Sequence, residues 1–268
     1  MTAHPSALAH RYGPWALVTG ASSGIGEQFA YALAAQGFHL VLVARRTERL
    51  ESLARTLHAQ HGTQCDVVCA DLATDAGLTR TTAASDTRDI GLLIANAGFG
   101  LKGEFLDQPL SRLREMVRLN CEAPLILAHH VGATMRTRGR GGIIVTSSAA
   151  AFQGTPSTSV YGATKAFELL LAEGLWDELR THHIDVLAVC PGATDTEGPR
   201  NSGVIDAKVP GGIMLPATVV EVALGALGKR SYVVPGLVNR LATLGTRLIP
   251  RAISTYLAGR IMRRVTQA

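Results

Sequence analysis

From Trp15 to Pro235 the chain alternates short, β-branched apolar runs with longer stretches whose apolar residues recur at helical spacing. The runs predict strands at Ala16–Val18, His39–Ala44, Gln64–Cys69, Gly91–Asn96, Ile143–Ser147, Asp185–Cys190 and Tyr232–Val234. The periodic stretches predict helices that include Gly24–Gln36, Glu48–His61, Leu110–Arg138, Val160–His182 and Pro216–Leu227. Strands that are apolar on both faces belong in a sheet covered on both sides, and helical crossovers make neighbouring strands parallel. No repeat and no Pro- or Ser-rich linker divides the pattern. The expectation is one α/β domain: a doubly wound three-layer sandwich around a mostly parallel seven-stranded sheet. Residues 1–13 read as a flexible tail that orders near Trp15, and residues 236–268 as an amphipathic helical extension.

Ligands of such sheets bind at the carboxyl ends of the strands, so the turns there carry the candidate chemistry. After the first strand comes Thr19-Gly20-Ala21-Ser22-Ser23-Gly24-Ile25-Gly26. Three glycines let the backbone turn tightly and approach a pyrophosphate at a helix N-terminus; the alternative is a plain strand-to-helix turn. The second strand ends in Arg45-Arg46, where an NAD site usually places an acid for the adenosine ribose. Two guanidiniums suit a 2'-phosphate instead, and their small cost against the helix dipole speaks against two idle solvated arginines. Asp71 follows the third strand, with a helix N-cap as its default role. Asn96-Ala97-Gly98 follows the fourth, Ser147-Ser148 the fifth, and Pro191-Gly192-Ala193-Thr194-Asp195-Thr196 the sixth.

Tyr161 and Lys165 stand four apart on a predicted helix and so share a face. A fixed ammonium beside a phenol favours the phenolate and makes the group serviceable as acid and base. Taken alone, the spacing also fits a lysine stem packed on a ring.

Composition narrows the partners. The net charge is +5, but the arginines are spread along the chain except near its end, and aromatics make up only 5%. That argues against nucleic acid and for a phosphorylated small molecule. The four cysteines, Cys65, Cys69, Cys121 and Cys190, lack disulfide or zinc spacing, so reduced thiols are expected, with Cys65 and Cys69 on a buried strand. His129-His130 and His182-His183 read as helix-face residues rather than metal ligands. No secretory signal or membrane-spanning run is recognised, which makes a cytoplasmic protein the expectation.

These motifs together, in this order, resemble the short-chain dehydrogenase/reductase family in its single-domain form, over Trp15 to about Pro235. The carriers are T-G-x-x-x-G-x-G at Thr19–Gly26, N-A-G at Asn96–Gly98, Ser148, Y-x-x-x-K at Tyr161 and Lys165, and P-G-x-x-x-T at Pro191–Thr196. The resemblance implies a Rossmann-like fold and an NADP(H)-dependent oxidoreductase acting on a ketone or secondary alcohol. It implies Tyr161 as general acid/base, Lys165 as its cationic neighbour and holder of the nicotinamide ribose, and Ser148 as hydrogen-bond donor to the substrate oxygen. Asn120 matches the family's fourth catalytic residue, which steadies a water relay to the lysine. Gly20, Ser22, Ser23, Gly24, Ile25 and Gly26 would line the pyrophosphate and adenosine side, with Arg45 and Arg46 at the 2'-phosphate. Asp71 and Leu72 would meet adenine, and Asn96, Ala97 and Gly98 the central ribose region. Pro191, Gly192, Thr194 and Thr196 would meet the carboxamide and phosphates. A homodimer or homotetramer is implied as well. A catalytically silent NADP-binding regulator is the competing reading, which the intact Tyr161–Lys165 pair disfavours.

The substrate is not specified. Phe99, Leu101, Phe105, Ala150, Phe152 and Gln153 are candidate pocket walls and favour an apolar carbonyl compound; a Gly- and Pro-rich lid is expected over residues 195–216. In the extension, Leu237, Leu241, Leu244 and Leu248, then Ile253, Leu257, Ile261 and Val265, recur at helical spacing with arginines between them. This stripe suits packing on the pocket or a second subunit, or peripheral contact with anionic lipid.

Overall fold

The computed structural model describes residues 6–197, 200 and 212–267. Seven strands form one sheet: β1 (Trp15–Thr19), β2 (His39–Ala44), β3 (Cys65–Cys69), β4 (Ile90–Ala95), β5 (Gly141–Thr146), β6 (Ile184–Val189) and β7 (Tyr232–Val233). The order is β3-β2-β1-β4-β5-β6-β7, and every pairing is parallel, where the pattern predicted a mostly parallel sheet. All residues of β1, β4 and β5 are buried, which is why they read as unbroken apolar runs. The strand order reverses between β1 and β4, so their carboxyl ends border a crevice.

The helices are α1 (Ala7–Tyr12), α2 (Gly24–Ala35), α3 (Thr47–His61), α4 (Asp75–Asp86), α5 (Leu110–Val117), α6 (Ala123–Arg138), α7 (Ser159–Arg180), α8 (Pro216–Ala226), α9 (Leu237–Gly245) and α10 (Arg251–Gln267). One face of the sheet packs on Phe29, Leu33, Phe38, Leu50 and Val219, the other on Leu127, Val131, Met135 and Leu169. Each such side chain contributes about 1.5–3 kcal/mol of apolar burial.

Four expectations need correction. The segment predicted as one helix, Leu110–Arg138, is broken by a π-helical turn at Arg118–Glu122. Thr74, not Asp71, caps α4 by accepting the Gly77 N–H at 3.1 Å. Asp71 Oδ1 instead accepts the Ala73 N–H at 3.1 Å. Cys65 is only half-buried and Cys69 is exposed, because β3 is an edge strand. Burial nevertheless pushes the Cys65 and Cys121 thiols up to about 11 and Cys190 up to about 12, outside the reactive range.

The fourth correction concerns the N-terminus, expected to be a flexible tail. Ser6 caps α1 by accepting the Ala9 N–H, and Tyr12 is buried. The Tyr12 hydroxyl donates to Asp185 Oδ2 at 2.6 Å, and Arg11 Nη2 reaches the same oxygen at 2.5 Å. Burial first, then Asp185, holds the Tyr12 proton on the phenol. Tyr12→Phe removes a hydrogen bond to a charged acceptor, so we expect a loss of about 1.5–3 kcal/mol in thermal or denaturant unfolding. An unchanged melting temperature would mean that α1 clamps nothing.

Candidate active site

The chain leaves β1 at Thr19 and must turn at once into α2. Gly20 adopts φ +67°, and a Cβ at Gly26 would collide with the Gly20 carbonyl, so side chains at either position would force the turn apart. Thr19 Oγ1 accepts the Asn96 and Ala97 N–H groups at 2.9 and 3.0 Å, while Asn96 Nδ2 donates to the Thr19 carbonyl at 3.1 Å. The glycine turn is thereby tied to the end of β4. Ser23 stands at the N-cap of α2 without a side-chain cap bond. Together with the helix dipole, that leaves the first turn of α2 suited to an anion.

Arg46 spans this turn. Its Nε and Nη2 donate to Ser22 Oγ at 3.2 and 3.0 Å, its Nη2 also to Ser23 Oγ at 2.8 Å, and its Nη1 to Glu197 Oε2 at 2.7 Å. Arg49, which pairs with the same carboxylate, and then Arg46 hold Glu197 below its ordinary range. Arg45 is mostly exposed and only loosely paired, with Nη1 3.8 Å from Glu115. Thr196 lies on the turn: a Cβ at Gly24 would come within 2.8 Å of its methyl group. Pro191 and Thr194 are buried, and Thr194 Oγ1 donates to the Gly192 carbonyl at 3.1 Å. Leu72 is buried beside Asp71 after β3. Most of the expected lid lies outside the described residues.

The second group gathers at the carboxyl ends of β4 and β5. Asn120 sits in the π-helical turn, which rotates it inward from a helix surface, and it is wholly buried. Its Oδ1 accepts the Phe99 N–H at 3.1 Å; its Nδ2 donates to the Phe99 carbonyl at 2.9 Å and to Thr164 Oγ1 at 3.0 Å. Gly98 permits the close approach: a Cβ there would lie 3.0 Å from Asn120 Oδ1 and 3.3 Å from Lys165 Nζ. Ser147 Oγ donates to the Lys165 carbonyl at 2.7 Å and anchors α7. Ser148 accepts the Ala150 N–H at 3.1 Å, opening a 3-10 turn at Ala149–Phe152. Tyr161 is half-buried; Gly100 approaches its ring so closely that a Cβ there would lie 3.0 Å from Cδ2. Lys165 Nζ is 5.8 Å from the ring centre.

Lys165 has a partner that the motif reading missed. Its Nζ donates to the Thr146 carbonyl at 2.9 Å and to Glu168 Oε1 at 2.9 Å, all three residues being buried. Glu168 Oε2 is also 2.8 Å from Nζ, but without hydrogen-bond alignment, and no other donor among the described residues reaches it. Burial pushes the Glu168 carboxyl up to about 7 against the pull of Lys165. For Lys165, burial works against the charge, but Glu168 and then Tyr161 outweigh it, and the ammonium is held more firmly than usual. The signal was present: residue 168 belongs to the buried stripe of α7 with Lys165, Leu169 and Ala172, where a glutamate is out of place.

Among the described residues no cluster of three or more His, Cys, Asp or Glu is placed to hold a metal ion, and no helix is long and apolar enough to cross a membrane. A cavity of about 630 Å³ lined by Leu8, Gln28, Tyr31, Val220 and Leu224 contains none of the candidate residues.

A sequence profile described as "short chain dehydrogenase" matches residues 14–203. The chain is 30% identical over 230 residues to a 7β-hydroxysteroid dehydrogenase of Clostridium sardiniense, spanning 86% of this chain and 88% of that one. It superposes on a short-chain dehydrogenase from Sphingobium yanoikuyae solved in complex with NADPH, with a TM-score of 0.78 and 37% identity over 88% of this chain and 94% of that one. A bulky-bulky ketone specific alcohol dehydrogenase from Comamonas testosteroni superposes with a TM-score of 0.75 and 35% identity, over 90% of this chain and 96% of that one.

Proposed function

The chain belongs to the short-chain dehydrogenase/reductase family, and from that membership we propose an NADP(H)-dependent oxidoreductase that interconverts a bulky apolar ketone and its secondary alcohol. The observation that carries this reading is the buried Lys165 ammonium, 5.8 Å from the Tyr161 ring centre, with Asn120 bonded to Thr164 on the same helix, at the sheet end that also holds the glycine turn.

The residues present fit a dinucleotide phosphate. The glycine turn cannot accept a Cβ at Gly26, the first turn of α2 lacks a side-chain cap from Ser23, Arg46 reaches both serines of the turn, and β2 is followed by Arg45 and not by an acid. Gly20, Ser22 to Gly26, Arg46 and Thr196 would hold the pyrophosphate, Asp71 and Leu72 the adenine, and Asn96, Ala97, Pro191, Gly192 and Thr194 the remainder. When bound, the nicotinamide ring supplies or accepts the hydride. In reduction, Tyr161 Oη gives a proton to the substrate oxygen and in oxidation removes it, with Ser148 Oγ donating a hydrogen bond to the same oxygen. Lys165 keeps positive charge beside the phenol and offers N–H groups to a ribose. Both Asn120 Nδ2 hydrogens are already committed, so the residue clamps the β4 connection to α7 and leaves a relay water only the second lone pair of Oδ1.

The substrate class is supported by the half-buried Phe99 and Phe152 and by names such as "bulky-bulky ketone specific" and "7β-hydroxysteroid" among the relatives. Loss of NADPH absorbance with a ketone panel tests it. We expect bulky apolar ketones to outpace small hydrophilic ones; turnover confined to small sugars, or none at all, would reject the assignment. The exposed Leu125, Ile126, Phe167 and Leu170 on α6 and α7 support a homodimer or homotetramer.

Cofactor choice makes a separate prediction. Arg45→Ala should raise the KM for NADPH about tenfold, the worth of one charged hydrogen bond, and leave NADH unaffected. Arg46→Ala also unpins Ser22 and Ser23 and should weaken both cofactors. Equal effects of Arg45→Ala on the two would rule out a 2'-phosphate contact.

A further inference from the structure

Helix α9 is inverted. Its buried residues are Asn239 and Thr243, while Leu237, Val238, Leu241 and Leu244 are exposed. Asn239 packs against Gly192 and donates to the Pro235 carbonyl at 3.2 Å, so the polar side is fixed to the loop after β6. Helix α10 repeats the arrangement, with Ser254 buried and Thr255 against Gly154, while Ile253, Tyr256 and Leu257 are exposed. Leu248, in the turn between them, is 85% exposed. A helix on a water-facing surface does the reverse, and apolar surface of this kind marks a partner. The leucine stripe therefore does not serve to pack the extension on the pocket.

Charge identifies the partner. All 21 acidic residues of the chain lie at or before Glu221, together with 18 of the 26 Lys and Arg. After Glu221 come Lys229, Arg230, Arg240, Arg247, Arg251, Arg260, Arg263 and Arg264, with no acid among them. A second copy of this face would set like charge against like. A surface both apolar in depth and negative at its rim answers both features, as anionic lipid does. Tyr256, apolar in body and polar at its tip, suits that boundary.

We propose that the outward face of α9 and α10 rests on an anionic lipid surface. The Arg247 guanidinium lies over the Phe152 and Tyr232 rings, 5.9 and 5.6 Å from their centres, so this face adjoins the Ser148–Phe152 segment. An apolar substrate dissolved in lipid would then reach the site without crossing water. The lipid contact itself does not depend on the catalytic assignment.

The test is co-sedimentation of the full-length protein with phosphatidylcholine vesicles, with and without phosphatidylserine, at low and high salt. Binding should require phosphatidylserine and weaken with salt. Arg240→Gln and Arg251→Gln should each lower partitioning about fivefold, the worth of one basic residue at such a surface. The double variant Leu241→Asp/Leu244→Asp should lower it by more than about tenfold, with melting temperature and NADPH binding unchanged because both side chains are exposed. No binding to phosphatidylserine vesicles, equal binding without it, or binding untouched by the aspartates would overturn the proposal. So would a dimer that the aspartates dissociate in a protein that binds no vesicles.

Discussion

Tyr161→Phe is expected to abolish ketone reduction to within background, a fall of about 10²–10⁴-fold in kcat, with NADPH binding retained. The substitution is a clean one in this structure. The phenylalanine ring keeps the contact with Gly100, the backbone of Tyr161 still accepts from Thr164 Oγ1 at 2.8 Å, and Lys165 keeps both Thr146 and Glu168. Only the hydroxyl is lost, and no other titratable group among the described residues is offered by the site to deliver a proton to the substrate oxygen. The effect should therefore appear in kcat and not in cofactor affinity, because a group that acts only during proton transfer lowers kcat and kcat/KM together. NADPH consumption by the variant at the wild-type rate would remove Tyr161 from the mechanism and assign the proton to another donor.

The sheet was legible because its strands are buried on both faces. Leu17, Val41, Leu93 and Ile144 sit in runs without a polar interruption, and such runs have few readings. The glycine turn and the Tyr161–Lys165 pair could be singled out because each carries its constraints within a few residues of its own stretch of chain. What local pattern alone did not carry depends on contacts distant in the chain or on a single change of pitch. Helix α1 has six residues and no apolar period; what orders it is Asp185, 173 positions from Tyr12. Asn120 looks like a surface residue on a regular helix, and only the π-helical turn brings it inside. The facing of the extension was not legible for a related reason. Period detects an apolar stripe but not which way it faces, and here Asn239 and Thr243 hold the protein side.

Glu168→Leu should be the most destabilising single change at the site, by about 3–5 kcal/mol, since it strands a buried ammonium with only the Thr146 carbonyl for company. In a chain of this size that is roughly a 6–20 °C fall in melting temperature. Lys165→Met/Glu168→Leu, which removes the ammonium together with its acceptor, should recover most of the loss, because the penalty belongs to an ammonium left without that acceptor and not to the volume. A single variant as stable as wild type, or losses that simply add, would show that the pair is not coupled. Glu168→Gln then separates charge from shape. Burial raises the Glu168 carboxyl from its ordinary value near 4.5 to about 7, so the folded chain holds this proton more tightly than the unfolded one. Its contribution is complete below about pH 4.5 and is lost as the pH rises through about 7. The stability advantage of wild type over Glu168→Gln should accordingly narrow across that interval in denaturant titrations. A difference that widened with pH would mean that the carboxyl is ionised in the fold throughout, and that Lys165 rests on a permanent ion pair.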